Sequence, residues 1–422
     1  METEFGANNF KCREGGLFTK EMELFPFREV LWQGERANGY HPALKARGYC
    51  PLHIRDLLKD GRYRVLHKIW GGGNSTVWAA RDLREGKYVA LKIGVTGGEK
   101  PSRELEVLQK ISASPSEHPG SRNLVRLHDS FVIERHYGSH ECLVLDLLGG
   151  NAQFTERRRL PANVAKRMAK EVLLGLDCLH SQGITHGDLH AGNLSCVMPP
   201  LDHLDEHKFC EKFGEIDTYN MKRKDGKPIG PGVPRYLVLP GVFPKFFLPV
   251  SNDINVKIVD FGESFLKGKA PETVDTTQCL KPPEVMFGDP LDHRLDMWSM
   301  GCLLFELVVS HRPFFTECWG PITPKEYAED VLDHLVPQEI PERWRGQLGG
   351  LERAAESSGE LDVSNSLKQL YFNYPFDFQG AERFSRKDII KVGELVSRML
   401  RLEPAERATA AEILEDPWWD DV

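Results

Sequence analysis

The sequence contains no closely spaced pair of cysteines of the kind that binds zinc or cycles between thiol and disulfide, although it has nine cysteines in 422 residues. An odd number of scattered cysteines predicts free thiols in a reducing compartment. No run approaches the roughly 18 apolar residues of a membrane-spanning helix, and residues 1–20 lack the apolar core of a secretion signal. We therefore expect a soluble, cytoplasmic protein without a membrane partner.

An excess of positive charge is also missing, because 54 lysines and arginines stand against 62 aspartates and glutamates, giving a formal charge of −8. This balance argues against direct nucleic-acid binding as the main activity and leaves room for a basic partner. The length predicts about two to three folding units, and a hydrophobic content of 41% is enough for a sizeable core. We expect the chain to be monomeric.

Three stretches with alternating apolar and polar residues predict β-strands at 62–68, 76–81 and Lys87–Gly94, with a Gly-Gly-Gly-Asn cluster at 71–74 between the first two. In such a strand–glycine turn–strand unit, the backbone N–H groups of the turn can donate hydrogen bonds to a polyphosphate. A hairpin turn without a ligand is the alternative. Lys92 lies within the apolar third strand, where its ammonium needs an anionic partner.

The next segment, 102–111, predicts a helix that offers two glutamates to Lys92. We favour Glu104 over Glu106, because Glu104 precedes the apolar Leu108 by one helical turn. An exposed helix glutamate without this role is the alternative. Further strands at 124–133 and 141–147 complete the predicted sheet, and Leu-Gly-Gly at 148–150 predicts a hinge to a second lobe.

Residues 186–193 read His-Gly-Asp-Leu-His-Ala-Gly-Asn and follow the strongest helix pattern of the chain, 161–181. Asp188 precedes Asn193 by five positions, and phosphoryl transfer needs such a carboxylate to accept a hydroxyl proton and such an amide to help hold Mg²⁺. Downstream, a short apolar strand at 254–259 leads to Asp260-Phe-Gly, a second metal ligand. Alone, the loop also fits small-molecule kinases or a polar turn after a helix.

The interval from Asn193 to Asp260 is 67 residues (260 − 193), whereas a hairpin needs about a dozen at most. We therefore predict an insertion at 199–251. Its basic triplet at 222–224 is either a nuclear address or a solvated turn, so nuclear entry stays open. Further on, Pro-Pro-Glu at 282–284 and Arg407 predict a buried ion pair between Glu284 and Arg407.

These motifs together resemble the eukaryotic protein kinases over residues 62–419. The resemblance rests on Val-Ala-Leu-Lys at 89–92, His-x-Asp-Leu-x-x-x-Asn at 186–193, Asp-Phe-Gly at 260–262, Pro-Pro-Glu at 282–284, Asp-x-Trp-Ser-x-Gly-Cys at 296–302 and Arg407. More narrowly, the chain is similar to the serine/arginine-rich (SR) protein kinases of the CMGC group, in particular their divergent fungal relatives. Residues 48–51, 75–78 and 147–149 carry this narrower resemblance.

The resemblance implies an α+β, bilobal protein kinase fold, with a small antiparallel β-sheet lobe that carries one helix and a larger, mainly α-helical lobe. The implied boundaries are an N-terminal extension at 1–58, the small lobe at 59–148 and the large lobe at 149–422. The large lobe would contain the spacer-like insertion at 199–251 and a CMGC-type insert at 319–383.

The resemblance also implies the roles of individual residues. Asp188 would be the catalytic base, and Asn193 and Asp260 would bind Mg²⁺. Lys92 and Glu104 would hold the phosphates of ATP. The remaining nucleotide contacts would come from the glycine loop and the adenine pocket: Ile69, Gly71, Gly72, Gly73, Val77, Ala90, Asp146 and Leu148. His186 would be a structural residue that supports Phe261.

The chain departs from the family pattern at four points. Trp70 occupies the place of the first loop glycine, and the interval of 12 residues from Lys92 to Glu104 (104 − 92) is short. Gly187 replaces an arginine that receives an activation-loop phosphate in many kinases, which implies that the segment 263–283 is not switched by phosphorylation. His190 replaces a lysine that neutralises the transferring phosphate, and such stabilisation is worth on the order of 10²–10³ in rate.

Three functions follow as hypotheses. The first is an active, non-specific serine/threonine protein kinase acting on basic, Arg/Ser-rich splicing-type proteins, with the acidic cluster at 326–333 as a candidate peptide groove. The second is a pseudokinase scaffold, motivated by Trp70 and His190. The third, a small-molecule kinase of the aminoglycoside or choline type, is disfavoured by Glu284 and Arg407, since the elements that carry them build a peptide-binding platform.

Overall fold

The computed structural model describes residues 19–24, 48–97, 101–113, 117–136, 138–151, 159–223, 228–229, 233–241, 254–314, 323–335, 340–347, 363–373 and 382–422. The chain divides into two compact units, and each is described by itself. We call the first the sheet unit; it comprises Met1–Leu105, Arg126–Gly149 and Met198–Leu248. We call the second the helical unit; it comprises Glu106–Val125, Gly150–Val197 and Pro249–Val422.

The strands in chain order are β1 (Thr19–Leu24), β2 (Leu57–Leu58), β3 (Tyr63–Gly71), β4 (Ser75–Asp82), β5 (Lys87–Gly94), β6 (Leu127–Arg135), β7 (Gly138–Asp146), β8 (Ile184–Thr185), β9 (Leu194–Cys196), β10 (Thr218–Arg223), β11 (Tyr236–Val238), β12 (Val256–Ile258) and β13 (Phe265–Leu266). The main sheet has the order β2-β3-β4-β5-β7-β6, and its neighbouring strands are antiparallel. A smaller sheet joins β1, β10 and β11.

The helices in chain order are α1 (Arg103–Ala113), α2 (Ala162–Ser181), α3 (Glu206–Phe213), α4 (Pro283–Phe287), α5 (Arg294–Val309), α6 (Pro324–His334), α7 (Glu342–Arg345), α8 (Val363–Asn373), α9 (Arg386–Met399) and α10 (Ala410–Leu414). The predicted small antiparallel sheet and the mainly helical second part are thereby confirmed. No helix among the described residues is long and apolar enough to cross a membrane.

The pleat of β5 gives the main sheet two distinct faces. Leu91 and Ile93 point to one face, which we call the outer face, and are fully buried there with Val65 and Trp78. The alternate residues of β5, including Lys92, point to the opposite, inner face. The outer face is covered in part by the segment 48–58, because Cys50, Leu52 and Leu58 belong to the same core. This part of the predicted N-terminal extension is therefore integral to the sheet unit.

The described part of the 199–251 insertion also belongs to the sheet unit, although the sequence assigned it to the second lobe. Phe209 of α3 is fully buried and stacks on Tyr88, with ring centroids 3.8 Å apart. Glu206 accepts a hydrogen bond from Arg64 at 2.9 Å. These contacts join residues more than 100 positions apart, so sequence continuity with the catalytic loop gave the wrong attachment.

The helical unit is organised around α5, which is buried along nearly its whole length. A helix that is apolar on all sides belongs in the centre of a core. Helix α2 matches the predicted 161–181, with Pro161 at its N-cap. Two short antiparallel pairs, β9 with β12 and β8 with β13, follow α2 and bring the two predicted catalytic segments side by side.

Candidate active site

Lys92 and Glu104 form an ion pair in the sheet unit. The Nζ atom of Lys92 lies 2.6 Å from Oε1 and 2.7 Å from Oε2 of Glu104. Both side chains are nearly buried, with 11% and 12% exposed. Glu106, the other candidate, instead pairs with Lys269 in the helical unit. The short sequence interval is therefore compatible with the pairing, because Glu104 lies in the first turn of α1.

The three predicted glycines lie where β3 turns into β4: Gly71 ends β3, and Gly72 and Gly73 are in the turn. The indole of Trp70 lies directly on Gly72, so that a Cβ atom at Gly72 would stand 1.7 Å from Cη2 of the ring. Trp70 is nevertheless 44% exposed. The Gly72 N–H donates to the Ser75 carbonyl at 3.0 Å, and the Gly72 carbonyl accepts from the Tyr49 hydroxyl at 2.7 Å. Trp70, which stands in the place of the first loop glycine, thus covers Gly72.

The predicted adenine pocket residues lie on β3, β4, β5 and the end of β7. Ala90 is buried, and Val77 is directly opposite Lys92 in the β4–β5 pairing. Ile69 packs against the cluster that contains Phe209 of the insertion. The Asp146 carboxylate accepts from the Arg126 N–H at 3.1 Å and contacts Nε2 of His128 at 2.7 Å. Leu148 follows in the half-buried segment after β7.

In the helical unit, Asp188 and Asn193 are held together by direct hydrogen bonds. Nδ2 of Asn193 donates to the Asp188 carbonyl at 2.8 Å and to Oδ2 of the Asp188 carboxylate at 3.3 Å. Asn193 is buried and closes a single turn of 3-10 helix, Ala191–Asn193. Because Nδ2 is committed to Asp188, Oδ1 is the Asn193 atom left to act as a metal ligand.

The Asp188 carboxylate is in a state suited to accept a proton. Burial by itself would raise the pKa of Asp188, but the hydrogen bond and charge of His190, together with His186, hold that pKa below its usual value. Its Oδ1 atom is buried and accepts no direct hydrogen bond among the described residues, while the nearby Thr276 side chain also helps to lower the pKa of the carboxylate. A buried carboxylate oxygen without a donor is costly, so Oδ1 is the oxygen of Asp188 with capacity to accept a further hydrogen bond.

His190 contacts Asp188 and also caps the turn that follows. Its Nε2 lies 3.4 Å from Oδ2 of Asp188, and its Nδ1 accepts the Gly192 N–H at 3.0 Å. A ring whose Nδ1 accepts carries its proton on Nε2. The side chain that replaces the family lysine is therefore held at both nitrogens, with its Nε2 facing the Asp188 carboxylate.

Asp260 follows β12 in a left-handed backbone conformation, with φ of 64°. Non-glycine residues adopt this region rarely, and such strain clusters at functional sites. The Val259 N–H donates to the Asn193 carbonyl at 2.9 Å, which fixes the Asp260 strand beside the catalytic loop. Phe261 is fully buried and meets His186 edge-on at 5.2 Å, so the expected contact between these two rings is present.

The catalytic loop is anchored from beneath by Asp296 of α5. This completely buried carboxylate accepts the N–H groups of His186 at 2.8 Å and Gly187 at 2.9 Å, and it meets Nε2 of His180 at 2.9 Å. Burial would raise the pKa of Asp296, but the hydrogen bond and charge of His180, with His186 and the Gly187 N–H, hold it below its usual value. Asp296 is thus an ionised anchor.

Sequence reasoning placed Asp296 in a family motif without giving it a role, and it missed His180. The signal that could have found Asp296 is an acidic residue at the start of a mainly apolar helix, since a buried charge needs partners. His180 lies in the last turn of α2, where nothing local distinguishes it from a surface histidine. Its pairing is visible only once α2 and α5 are packed.

Gly187 adopts φ of 87°, and a Cβ atom there would come within 2.5 Å of the Glu263 carbonyl. An arginine at this position would be strained by the positive φ and by the close approach of its Cβ to the Glu263 carbonyl. Ser264, the next residue after Glu263, donates its hydroxyl to the His186 carbonyl at 2.7 Å. The start of the segment 263–283 is thus held against the catalytic loop by uncharged contacts.

The predicted ion pair between Glu284 and Arg407 is present and buried. Nη1 and Nη2 of Arg407 donate to the two carboxylate oxygens of Glu284 at 2.6 and 2.7 Å. Arg407 also donates to the carbonyls of Arg294 and Arg401, at 3.0 and 2.8 Å. A bidentate pair with further carbonyl acceptors satisfies a buried guanidinium. It ties α4 to the segment that precedes α10.

The residues fit a magnesium ion shared with phosphate. No group of three or more acidic, histidine or cysteine side chains that could hold a metal by themselves occurs in the described part of the chain. Mg²⁺ commonly takes only one or two protein oxygens and completes its shell with water and phosphate. The amide oxygen of Asn193 and the carboxylate of Asp260, held next to each other by the β9–β12 pair, are a donor set of that kind.

A sequence profile of the family described as protein kinase domain matches residues 63–200 and 246–419. The chain belongs to the protein kinase family, whose members use ATP and a divalent metal. The profile is interrupted at residues 201–245, within the insertion that packs on the sheet unit.

Among its relatives, a serine/threonine protein kinase of Aspergillus fumigatus is 28% identical over 387 residues, covering 89% of this chain and 89% of that protein. The serine/threonine-protein kinase SRPK of Physarum polycephalum is 28% identical over 403 residues, with 90% of each chain covered. The crystal structure of a kinase domain superposes with a TM-score of 0.57 and 21% identity, over 88% of this chain and 98% of that one. The predicted similarity to the SR-protein kinases is confirmed.

Proposed function

We propose that the chain is an active serine/threonine protein kinase that transfers the γ-phosphate of ATP, with Mg²⁺, to hydroxyls in basic, Arg/Ser-rich proteins. The observation that supports this most strongly is the state of Asp188, an ionised carboxylate with one buried oxygen left without a donor. A substrate hydroxyl bound at Oδ1 would give its proton to that oxygen as its own oxygen attacks the γ-phosphorus, whose bond to the β–γ bridging oxygen breaks so that ADP leaves.

Each further residue supplies one part of the work. Asn193 orients the Asp188 carboxylate through its Nδ2, and with Asp260 it offers the oxygens for the metal. When bound, Mg²⁺ neutralises phosphate charge. Glu104 holds the Lys92 ammonium at a fixed place on the inner face of the sheet, where it would meet the α- and β-phosphates. Asp296 keeps the catalytic loop in position from below.

The substrate class is supported by the resemblance to SR-protein kinases and by the net charge of −8. The acidic cluster on α6 contributes less than its sequence implies. Glu326 is engaged in the capping box with Thr323, and Glu329 lies 3.8 Å from the ammonium of Lys325. An acidic helix whose carboxylates are already engaged has less free charge to attract a basic peptide.

A transfer assay tests the proposal. The protein is incubated with radiolabelled ATP, Mg²⁺ and either an Arg/Ser-repeat peptide or a lysine-rich basic protein. We expect transfer to the Arg/Ser peptide, with a loss on the order of a hundredfold or more in Asp188→Ala and Asp260→Ala. Glu211→Ala, which removes an exposed carboxylate from α3, is the matched control. Transfer no greater than that of Asp188→Ala refutes the proposal.

A pseudokinase scaffold is the second candidate, and the placement of Trp70 over Gly72 favours it. A thermal melt distinguishes the two functions, because a ligand that binds only the folded state raises the melting temperature. A shift at saturating ATP and Mg²⁺ supports nucleotide use. No shift, together with no transfer, supports the scaffold.

We also propose that the protein acts in a reducing compartment, the cytoplasm, with nuclear entry left open by the basic triplet at 222–224. Seven cysteines among the described residues are free, and six of these are buried. We further propose that the chain is a monomer and needs no binding partner other than its substrate. Sedimentation of the purified chain tests the monomeric state, and imaging of a tagged copy in cells tests the location.

A further inference from the structure

Tyr49 lies in a short segment that is fixed on both sides of it. The carbonyl of Gly48 accepts the backbone N–H of Thr96 at 2.8 Å and its hydroxyl at 3.1 Å. On the other side, Cys50 and Leu52 are 6% and 3% exposed in the core of the outer face. The backbone that carries Tyr49 therefore has little freedom to move relative to the sheet.

The side chain of Tyr49 reaches the glycine loop. Its hydroxyl donates to the Gly72 carbonyl at 2.7 Å, and the Gly73 carbonyl lies further away at 3.4 Å. The loop is the part of the sheet unit whose backbone would cover the phosphates. A fixed side chain from 23 residues earlier in the chain thus holds one carbonyl of that loop.

Tyr49 approaches the loop from the outer face. It lines a cavity together with Thr76 and Trp78. In the β4–β5 pairing these two residues are opposite Ile93 and Leu91, which belong to the outer face. Val77, between them, is opposite Lys92 on the inner face. Tyr49 and Lys92 therefore lie on opposite sides of the same sheet.

The direction of the Gly72 carbonyl fixes the direction of the next N–H. In a trans peptide the C=O and the following N–H point to opposite sides, and the structure has no cis peptide bond among the described residues. Because Tyr49 binds the Gly72 carbonyl on the outer side, the Gly73 N–H is directed to the inner side. The Gly72 N–H is already used by Ser75, whereas the Gly73 N–H has no hydrogen-bond partner within the described part of the chain.

We propose that Tyr49 is a positioning residue of the nucleotide site, whose hydroxyl orients the Gly72–Gly73 peptide so that the Gly73 N–H donates to a phosphate oxygen of bound ATP. Backbone N–H groups of such loops are the donors that cradle phosphates. The inference rests on the proposed kinase function. It adds a residue from the N-terminal segment that no glycine-loop motif contains.

The test is Tyr49→Phe, which removes the hydroxyl and keeps the ring. We expect the KM for ATP and the Kd of a fluorescent ATP analogue to rise roughly two- to tenfold, the range that one neutral hydrogen bond supports. The kcat at saturating ATP should change less than twofold. Tyr236→Phe is the matched control, because Tyr236 lines the same cavity and its hydroxyl accepts from the Ile54 N–H at 3.2 Å without touching the loop.

The outcomes separate this inference from the kinase function. Nucleotide affinity that falls in Tyr49→Phe and not in Tyr236→Phe supports the role of Tyr49. Equal affinity in the wild type and both variants overturns the role of Tyr49 and leaves the kinase function standing. A loss of kcat with unchanged KM in Tyr49→Phe also overturns it. A wild-type protein that binds no nucleotide overturns both proposals.

Discussion

Nε2 of His190 lies 3.4 Å from Oδ2 of Asp188, while Nδ1 of the same ring accepts the Gly192 N–H. The residue that replaces the family lysine thus faces the Asp188 carboxylate through an imidazole N–H. The chain thus departs from its family pattern in the side chain that stands beside the Asp188 carboxylate. This contact also gives a direct way to measure the cost of the departure.

His190→Lys should raise kcat on the order of tenfold, because an ammonium places a full positive charge where negative charge is transferred. The KM for ATP should change little, since the change acts on the transition state. Steady-state kinetics with an Arg/Ser peptide measures both constants. His207→Lys is the control, because His207 is an exposed residue of α3. A lower kcat in His190→Lys at an unchanged melting temperature contradicts the prediction.

Asp296→Asn should destabilise the fold by about 2–4 kcal/mol. The substitution weakens the hydrogen bonds that two buried N–H groups donate to this side chain, and it leaves His180 without a charged partner. Urea unfolding measures the loss. Transfer activity should also fall in the folded variant, since the catalytic loop loses its anchor. A variant with wild-type stability and kcat is the result that contradicts this role.

The contribution of Asp296 should depend on pH in one direction. Its pKa is lower in the folded chain than in the unfolded one, so the unfolded state binds more protons as the pH falls. The stabilisation is therefore fully present above the unfolded value of about 3.9 and is lost as the pH falls through the folded value. The stability difference between wild type and Asp296→Asn should be constant from about pH 5 upward and shrink below about pH 4. A difference that instead grows on acidification contradicts the assignment.

Removing one partner of the Glu284–Arg407 pair should be far more costly than removing an exposed pair. Glu284→Ala leaves a buried guanidinium without its carboxylate and should cost about 3–5 kcal/mol. Glu406→Ala, which breaks the exposed contact with Arg401, should cost at most about 1 kcal/mol. Denaturant unfolding of the two variants gives the comparison. Equal losses would mean that the buried pair is not a major support of the helical unit.

Gly72→Ala should be costly only while Trp70 is present. The new methyl group would collide with the indole and displace it, at a cost of about 1 kcal/mol. In a Trp70→Ala background the methyl has room, so the two substitutions should couple by about 1 kcal/mol in a double-mutant cycle. Additive effects contradict the observed packing of the ring on the glycine. Tryptophan fluorescence of Gly72→Ala should shift to the red as the indole becomes more exposed.

Local patterns were enough to predict the main strands of the sheet and the ion pair between Lys92 and Glu104. The choice of Glu104 over Glu106 followed from the register of α1 relative to Leu108, which is a property of one helix. The glycine loop was predicted from composition. The packing of Trp70 on Gly72 was not predicted. The side-chain rotamer of a partly exposed ring depends on its neighbours in space, and the local sequence does not reveal them.

Some contacts between distant segments were missed by sequence reasoning, although the Glu284–Arg407 pair was predicted. The stacking of Phe209 on Tyr88 joins an insertion to a strand more than 100 residues earlier, and no periodicity in either segment encodes it. The same holds for Asp296 and His180, which meet only when α5 packs on α2. The roles of Asp188, Asn193, Asp260 and Lys92 came from family motifs, and they remain predictions until activity is measured.

The placement of the insertion has a consequence for the order in which the chain can fold during synthesis. Residues 106–125 and 150–197 of the helical unit leave the ribosome before Met198–Leu248, which completes the sheet unit. Until then, Tyr88 has no ring to stack on and that part of the sheet stays uncovered. Strand β9 must likewise wait for β12, whose Val256 pairs with Cys196 across 60 positions (256 − 196). The sheet unit can therefore be completed once Leu248 has been synthesised, whereas the helical unit also needs Pro249–Val422, which follow.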